Sequence, residues 1–324
     1  MNASDPVLPT VTGSTLRPGA KVRLDGHGHA WIAPPSLAPE VVPALTDERT
    51  LVEGLALFGR AAKPSRAAML DCQAPGSGRD AAALARIASK SNVAIAALTG
   101  FQFSRAYPKG LRPWTTIDGA LAAFTRELEG GFREAPMARA AALLAAFAGE
   151  PEEGDPCWEA VIESCKRTGS LLVVRTEGGD GVEDLVTWLR SRDVPLERLY
   201  LLDVDRRDDV GLHRELAQAG ALLGFASSLR PDAGNASEPF TLLERLLEEG
   251  LARSVAVGLG LQSPEQWRAA GPSAKAVGPA TLVTVVEERL RGHGATDEDV
   301  EALLGGTLLE RAARPEVSFA ARHR

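Results

Sequence analysis

The sequence predicts an α/β fold of the (β/α)8 TIM-barrel class, built as a single domain. Short apolar runs alternate with longer amphipathic stretches along the chain, and there are eight such runs. Strands that alternate with helix-length segments form a parallel sheet, and eight strand–helix units close into a barrel. The 324 residues, 44% of them hydrophobic, are enough to build one large core.

The predicted strands are short runs rich in Val, Leu, Ile and Ala. Numbered one to eight, they cover residues 22–25, 67–72, 93–98, 140–147, 171–174, 199–204, 221–225 and 255–259. The fourth run allows an alternative, because residues 138–148 contain enough alanine to form a helix.

Helical periodicity follows nearly every predicted strand, with apolar residues three or four positions apart. The predicted helices cover residues 79–90, 117–129, 156–168, 182–192, 208–218, 240–249 and 280–291. No linker or short repeat divides the chain, so we expect an N-terminal extension over 1–20, one barrel over 21–313 and a C-terminal tail over 314–324. Both ends are expected to be loosely held, with a strand or hairpin ahead of the barrel as the alternative.

Composition excludes several classes of partner. The net charge is −7 and the 36 basic residues are scattered among acidic ones, which argues against a surface for nucleic acid or anionic membrane. Three cysteines without CxxC spacing make a disulfide framework or a cysteine zinc site improbable. No run approaches a membrane span, and the first residues lack the pattern of a signal peptide. We therefore expect a cytoplasmic protein with a small-molecule ligand.

A His-x-His pair ends the first predicted strand, at Asp25-Gly26-His27-Gly28-His29. Functional residues of such barrels lie at the C-terminal ends of the strands. Two imidazoles one residue apart project from the same side of an extended chain, so both can reach one cation. The alternative is a pair of hydrogen-bonded loop histidines, since a zinc site uses three or four protein ligands.

A longer pattern begins at predicted strand two. A Pro/Gly turn leads into Arg79-Asp80, a helix and Thr99-Gly100-Phe101. The pattern continues through Tyr107-Pro108, Thr168-Gly169, Glu177-Gly178-Gly179 and Asp205-Arg206. In order and spacing these residues resemble the phosphotriesterase-related family of the amidohydrolase superfamily, over most of residues 13–313. The resemblance implies a hydrolase of phosphotriesters or lactones and a homodimer.

The resemblance also implies two divalent metals with a bridging hydroxide at the strand ends. Two cations together lower the pKa of the bridging water and polarise the substrate oxygen. The implied ligands are His-x-His on strand one, a carboxylated Lys on strand four, one His each on strands five and six, and an Asp on strand eight. His27 and His29 match, but four of the six positions do not. They fall at Leu144, Arg175, Asp203 and about Gly260.

Arg175 bears most directly on whether a metal is held. A guanidinium is always charged and repels a divalent cation. We hypothesise that Arg175 occupies the space of the lost cations and pairs with Asp203, with Asp25 or Glu177 as further partners. A mononuclear zinc on His27, His29 and Asp203 is the alternative. An arginine at the mouth can also clamp an anionic ligand.

Other residues receive simpler interpretations. Trp31 and Gln102 are expected to line the barrel mouth with the residues above. Arg79, Asp80 and Glu177 are expected to cap or brace loops, and His213 to lie on the surface. Cys72 is expected to be a small buried residue, with a thiol nucleophile as the alternative. Ligand specificity is expected in the loops over residues 226–237 and 262–277.

Two hypotheses about function follow. The first is a non-catalytic member of the family, in which the barrel binds a small molecule and no metal cofactor is favoured. The second is a hydrolase of lactones or phosphoesters that works with one zinc ion. Loss of the lysine, two histidines and the aspartate together favours the first, because hydroxide generation and proton transfer are lost at once.

Overall fold

The computed structural model describes residues 5–38, 44–151, 153–226, 240–268 and 278–315. Eight parallel strands follow one another in chain order around a single sheet. They are β3 (Val22–Gly28), β4 (Arg66–Asp71), β5 (Ala94–Gly100), β6 (Ala142–Phe147), β7 (Leu172–Thr176), β8 (Leu199–Leu202), β9 (Leu222–Phe225) and β10 (Val255–Val257). The predicted barrel is therefore confirmed, and the ambiguous fourth run is the strand β6.

Helices cover the outside of the sheet. They are α1 (Glu48–Ala61), α2 (Ala81–Ser91), α3 (Ile117–Glu129), α4 (Pro156–Thr168), α5 (Val182–Arg190), α6 (Val210–Gln218), α7 (Thr241–Glu248), α8 (Pro264–Arg268), α9 (Glu288–Gly292), α10 (Asp297–Glu301) and α11 (Thr307–Ala312). π-Helical turns, Leu282–Glu287 and Ala302–Gly306, precede α9 and α11. None of the described helices has the length and apolar character needed to cross a membrane.

Sequence analysis missed helix α1, although its signals are present. Asp47 accepts a hydrogen bond from the Thr50 N–H and caps the helix, which is the usual role of Asp at this position. Leu51, Leu55 and Phe58 are fully buried and recur at helical spacing. The periodic pattern is therefore as clear here as in the helices that were predicted.

The expectation of loosely held ends is wrong for the described residues. Strands β1 (Pro6–Pro9), β2 (Thr15–Leu16) and β11 (Arg314–Pro315) form a small antiparallel sheet. Arg314 is buried and donates hydrogen bonds to the Leu128 carbonyl and the Ser170 hydroxyl. The two ends are therefore tied to each other and to the barrel. Residues 316–324 of the predicted tail lie outside the described residues.

Asp25 closes the seam between the first and last barrel strands. Its Oδ1 accepts hydrogen bonds from the N–H groups of His27 (3.1 Å) and Leu259 (3.0 Å). The Gly260 N–H donates to the His27 carbonyl at 2.7 Å. A Cβ at Gly258 would lie 2.3 Å from the His27 nitrogen, so only glycine allows this approach. A side chain and a close backbone contact thus complete the barrel, and they fix the position of His27.

His213 is buried, which corrects the expectation of a surface histidine. Its Nε2 lies 2.9 Å from the Val204 carbonyl, and its ring packs edge-on against Phe225. Helix α6 turns His213 inward together with Leu212, Leu216 and Ala217. The local sequence does not carry that signal, because burial of His213 depends on where the β8 loop passes.

Replacing His213 by glutamine tests this burial through pH dependence. Burial lowers the pKa of His213 in the folded protein, so the unfolded chain binds more protons once the pH falls below about 6.5. We expect the wild type to lose stability relative to His213→Gln as the pH falls from 7.5 to 5, and no change in the difference above pH 7.5. Urea unfolding at each pH measures the difference in the free energy of unfolding between the two proteins. A difference that stays constant over the whole range would contradict the burial.

Candidate functional site

The strand ends bring four of the predicted residues together at the mouth of the barrel. His27 and His29 are buried, and their rings lie 5.5 Å apart in an edge-on arrangement. Asp203 Oδ1 lies 3.6 Å from His27 Nδ1, and its Oδ2 lies 3.8 Å from Arg175 Nε. Asp203 therefore lies between an imidazole and a guanidinium.

Backbone geometry sets the position of Asp203. It follows β8 directly and adopts a left-handed conformation, with φ 61° and ψ 18°. Aspartate tolerates this region better than most residues, yet the conformation is uncommon outside glycine. Such positions concentrate at functional sites. Its turn ends the strand and exposes the carboxylate to both His27 and Arg175.

Arg175 uses few of its hydrogen-bond donors. A guanidinium has five N–H donors, and within the described part of the chain Arg175 forms one hydrogen bond, from Nη2 to Gln262 Oε1 at 3.3 Å. Its contact with Asp203 is longer than a hydrogen bond. Its side chain is 23% exposed. The guanidinium is thus held in place with several donors available.

Arg79 shows what a structural arginine looks like in the same barrel. Its side chain is 2% exposed and forms four hydrogen bonds, two to Glu127 and one each to Glu134 and the Leu98 carbonyl. Phe132 packs against its guanidinium. As predicted, Arg79 braces its loop, and Asp80 caps α2 by accepting from the N–H groups of Ala82 and Ala83. Arg175, with one hydrogen bond, differs from this buried structural ion pair, in which both terminal nitrogens of Arg79 form two hydrogen bonds each.

The further partners expected for Arg175 do not pair with it. Glu177 forms an ion pair with Arg105 at the rim. The hydrogen bonds of Asp25 Oδ1 come from backbone N–H groups at the seam. Burial raises the pKa of Asp25 to about 6, and these two hydrogen bonds oppose the rise. Of the expected pairs, the described residues show the contact of Arg175 with Asp203, and Gln262 is an additional partner of Arg175.

Gln102 and Trp31 follow the ends of β5 and β3. Gln102 is buried, and its Oε1 has no hydrogen-bond partner in the described part of the chain. Its Nε2 lies 3.5 Å from the Cys72 carbonyl. Trp31 is half-buried and packs against the outer core. Sequence patterns give the position of Gln102. They do not show that its Oε1 is buried without a partner among the described residues, because this depends on the neighbouring strands.

Cys72 is a buried structural thiol. Its Sγ is 3.5 Å from the Leu70 carbonyl and 3.9 Å from the Gly26 carbonyl. Burial raises the pKa of Cys72 well above its ordinary value, so the nucleophilic thiolate is not formed at neutral pH. The geometry supports the simpler interpretation made from the sequence.

The residues at the implied ligand positions do not fit a dinuclear metal centre. Leu144 is fully buried in β6 and offers no donor atom. Arg175 places a cation against Asp203. Gly260 has no side chain, although a Cβ there would make ordinary contact with the His27 ring at 3.5 Å. Over the described ranges, no three His, Cys, Asp or Glu side chains are placed to hold a metal ion.

Comparison with models of protein families shows to which family the chain belongs. The model of the phosphotriesterase family matches residues 26–307, which is most of the chain. The chain belongs to the phosphotriesterase family. Curated protein sequences give no match to it. The crystal structure of the lactonase Lmo2620 from Listeria monocytogenes is similar, with a TM-score of 0.80 and 16% identity over 95% of this chain and 99% of that chain. At this identity the likeness concerns the fold.

Within this phosphotriesterase-family barrel, the loops expected to set specificity are only partly described. Ala226 is fixed at the end of β9, where its N–H donates to Asp205 Oδ2 at 3.1 Å. Residues 227–239 and 269–277 lie outside the described residues. The site as described therefore consists of the strand ends and the first turns of the loops.

Proposed function

We propose that this phosphotriesterase-family barrel is a non-catalytic protein that binds a small anionic molecule at its mouth. In this proposal the Arg175–Asp203 pair stands in place of the dinuclear metal centre. The observation that carries it is the guanidinium of Arg175, which lies 3.8 Å from Asp203 and forms a single hydrogen bond among the described residues.

Electrostatics support this assignment. Two unit charges 4 Å apart interact by about 4 kcal/mol at an effective dielectric constant of 20, and a divalent cation doubles the repulsion. A metal on His27 and Asp203 would meet that repulsion from Arg175. A small carboxylate or phosphate experiences attraction instead, and it matches the fork of the guanidinium in two parallel hydrogen bonds.

Replacing Arg175 by glutamine tests the anion site. We expect the wild type to bind short carboxylates and Arg175→Gln to bind them about tenfold to a hundredfold more weakly, because charge-assisted hydrogen bonds are lost. Isothermal titration calorimetry with butyrate and its longer homologues measures the affinities. Arg105→Gln is the matched control, since Arg105 is already paired with Glu177 at the rim. Equal affinities for all three proteins would refute the proposal.

A mononuclear metal hydrolase is the second candidate. It is favoured by the 3.6 Å approach of His27 Nδ1 to Asp203 Oδ1, which puts two potential donors side by side next to His29. Elemental analysis of the purified protein and hydrolysis assays with lactones and aryl phosphotriesters distinguish the two candidates. Stoichiometric zinc together with turnover that His27→Ala abolishes would establish the hydrolase.

We also propose that the protein is a cytoplasmic homodimer. Support for a dimer comes from an apolar patch at the rim, where Leu37 and Leu111 are 73% and 69% exposed and the Leu37 carbonyl accepts the Lys109 N–H. Support for a reducing compartment comes from Cys72, Cys157 and Cys165, which are buried and form no disulfide. Light scattering of the purified protein tests the dimer.

A further inference from the structure

We propose that the ligand at the mouth is a small carboxylic acid that also carries a hydroxyl or amino group, which donates a hydrogen bond to Gln102 Oε1. This inference rests on the proposed function, because Arg175 is the anchor for the carboxylate. It adds a second recognition group and a narrower class of ligand.

The backbone of Gln102 is clamped on both sides. Its N–H donates to the Tyr107 hydroxyl at 3.0 Å, and its carbonyl accepts from Arg112 Nε at 3.2 Å. Arg112 is itself fixed by an ion pair with Asp155 at 2.7 Å and by stacking on Phe101. Gln102 therefore holds its side chain in a defined place, as a recognition residue must.

The atom of the Gln102 amide that lacks a hydrogen-bond partner among the described residues is the acceptor Oε1. The amide Nε2 is directed to the Cys72 carbonyl, while Oε1 is buried and has no partner in the described part of the chain. The residue is only 2% exposed, so bulk water does not serve the oxygen. Buried polar atoms in native proteins are nearly always satisfied. A ligand that donates a hydrogen bond would satisfy this one.

Gln102 follows β5, and Arg175 lies near the end of β7, two strands away in the barrel sheet. Gly100 of β5 pairs with Leu144 of β6, and Leu144 pairs with Val173 of β7. Alternate residues of a strand share a face, so Arg175 lies one step above Val173. Gln102 lies two residues beyond the end of β5, and its amide faces the carbonyl of Cys72, which belongs to the same buried cluster as Leu144 and Val173. Neighbouring strands are about 4.8 Å apart, which separates the two backbones by about 10 Å. The two side chains are therefore the groups that one small molecule bound between these strand ends would contact.

The two groups select for complementary chemistry. Arg175 supplies donors and positive charge, so it recognises a carboxylate. Gln102 Oε1 supplies only an acceptor, so it recognises an O–H or N–H group. A plain fatty acid satisfies the first group alone, and a neutral alcohol or ester satisfies the second alone. A hydroxy or amino acid satisfies both.

Matched pairs of short acids test the inference by calorimetry. The probes are butyrate, 3-hydroxybutyrate and 3-aminobutyrate. We expect the wild type to bind the hydroxy or the amino acid about threefold to tenfold more tightly than butyrate. Gln102→Leu should abolish this preference and keep the affinity for butyrate. Arg175→Gln should weaken the binding of all three acids.

The outcomes separate this inference from the function on which it rests. If butyrate and its substituted partners bind equally while Arg175→Gln weakens them all, the anion site stands and the role of Gln102 is wrong. If no acid binds the wild type, or if Arg175→Gln has no effect, both are wrong. Circular dichroism confirms that each variant is folded. If Gln102→Leu does not fold, the single variant Tyr107→Phe takes its place, because it removes the hydroxyl that accepts from the Gln102 N–H. Loss of the preference in Tyr107→Phe would support the role of Gln102, and an unchanged preference would contradict it.

Discussion

Arg175→His is expected to turn the barrel mouth into a zinc site. The substitution removes the cation that lies beside Asp203 and adds an imidazole to His27, His29 and the Asp203 carboxylate. Three imidazoles and one carboxylate form a donor set that zinc accepts. We expect the Kd for zinc to fall by at least about a hundredfold, which corresponds to about 3 kcal/mol, less than the repulsion that is removed. Zinc titration against a competing chelator measures the change.

Arg105→His is the control for an additional histidine. It places an imidazole at the rim, near Glu177, and leaves Arg175 in position. We expect it to bind zinc no better than the wild type. If Arg175→His also shows no gain while its fold is intact, the guanidinium is not what keeps a metal away, and the explanation lies in the arrangement of His27, His29 and Asp203.

Arg79→Leu is expected to lower the free energy of unfolding by about 3–5 kcal/mol. The guanidinium is buried with Glu127, whose side chain is 6% exposed. Removing the arginine leaves that carboxylate with only the exposed Arg126, 3.9 Å away, and it also removes the hydrogen bond to the Leu98 carbonyl. Denaturant unfolding of the wild type and the variant measures the loss.

Two further variants show whether the loss of stability arises from the buried Glu127 carboxylate that Arg79 no longer neutralises. Arg86 lies on α2 close to Arg79, but its ion pair with Glu48 is at the surface, where the Arg86 side chain is 51% exposed. Arg86→Leu should therefore change the free energy of unfolding by less than about 1 kcal/mol. The double variant Arg79→Leu, Glu127→Leu should recover part of the loss, because a matched apolar pair replaces the buried ions. A double variant as unstable as Arg79→Leu would contradict this explanation.

Sequence patterns predicted the barrel because its elements are locally encoded. Helix α4 has the predicted bounds of residues 156–168, where Asp155 caps the first turn and Gly169 ends the last in a left-handed conformation. At β6 the sheet overrode local preference, because alanines that favour helices are held by pairing with β5 and β7. The missed helix α1 was also locally encoded.

The candidate site was only partly predictable. The His-x-His spacing pointed to His27, and the resemblance to the phosphotriesterase-related family pointed to Arg175 and Asp203 at the ligand positions of strands five and six. The partners of each could not be predicted, because contacts such as Arg105 with Glu177 join residues 72 positions apart. The burial of His213 escaped prediction for the same reason.

The sequence by itself determined the fold class, the family and the identities at the strand ends, since these depend on short-range periodicity and on the order of motifs. Only the tertiary structure decided how those residues are used. It placed Asp203 between His27 and Arg175, left most donors of Arg175 available within the described residues, and buried an acceptor of Gln102 without a partner there. Burial and hydrogen-bond satisfaction are properties of the packed barrel, because every one of these contacts joins different strands or loops.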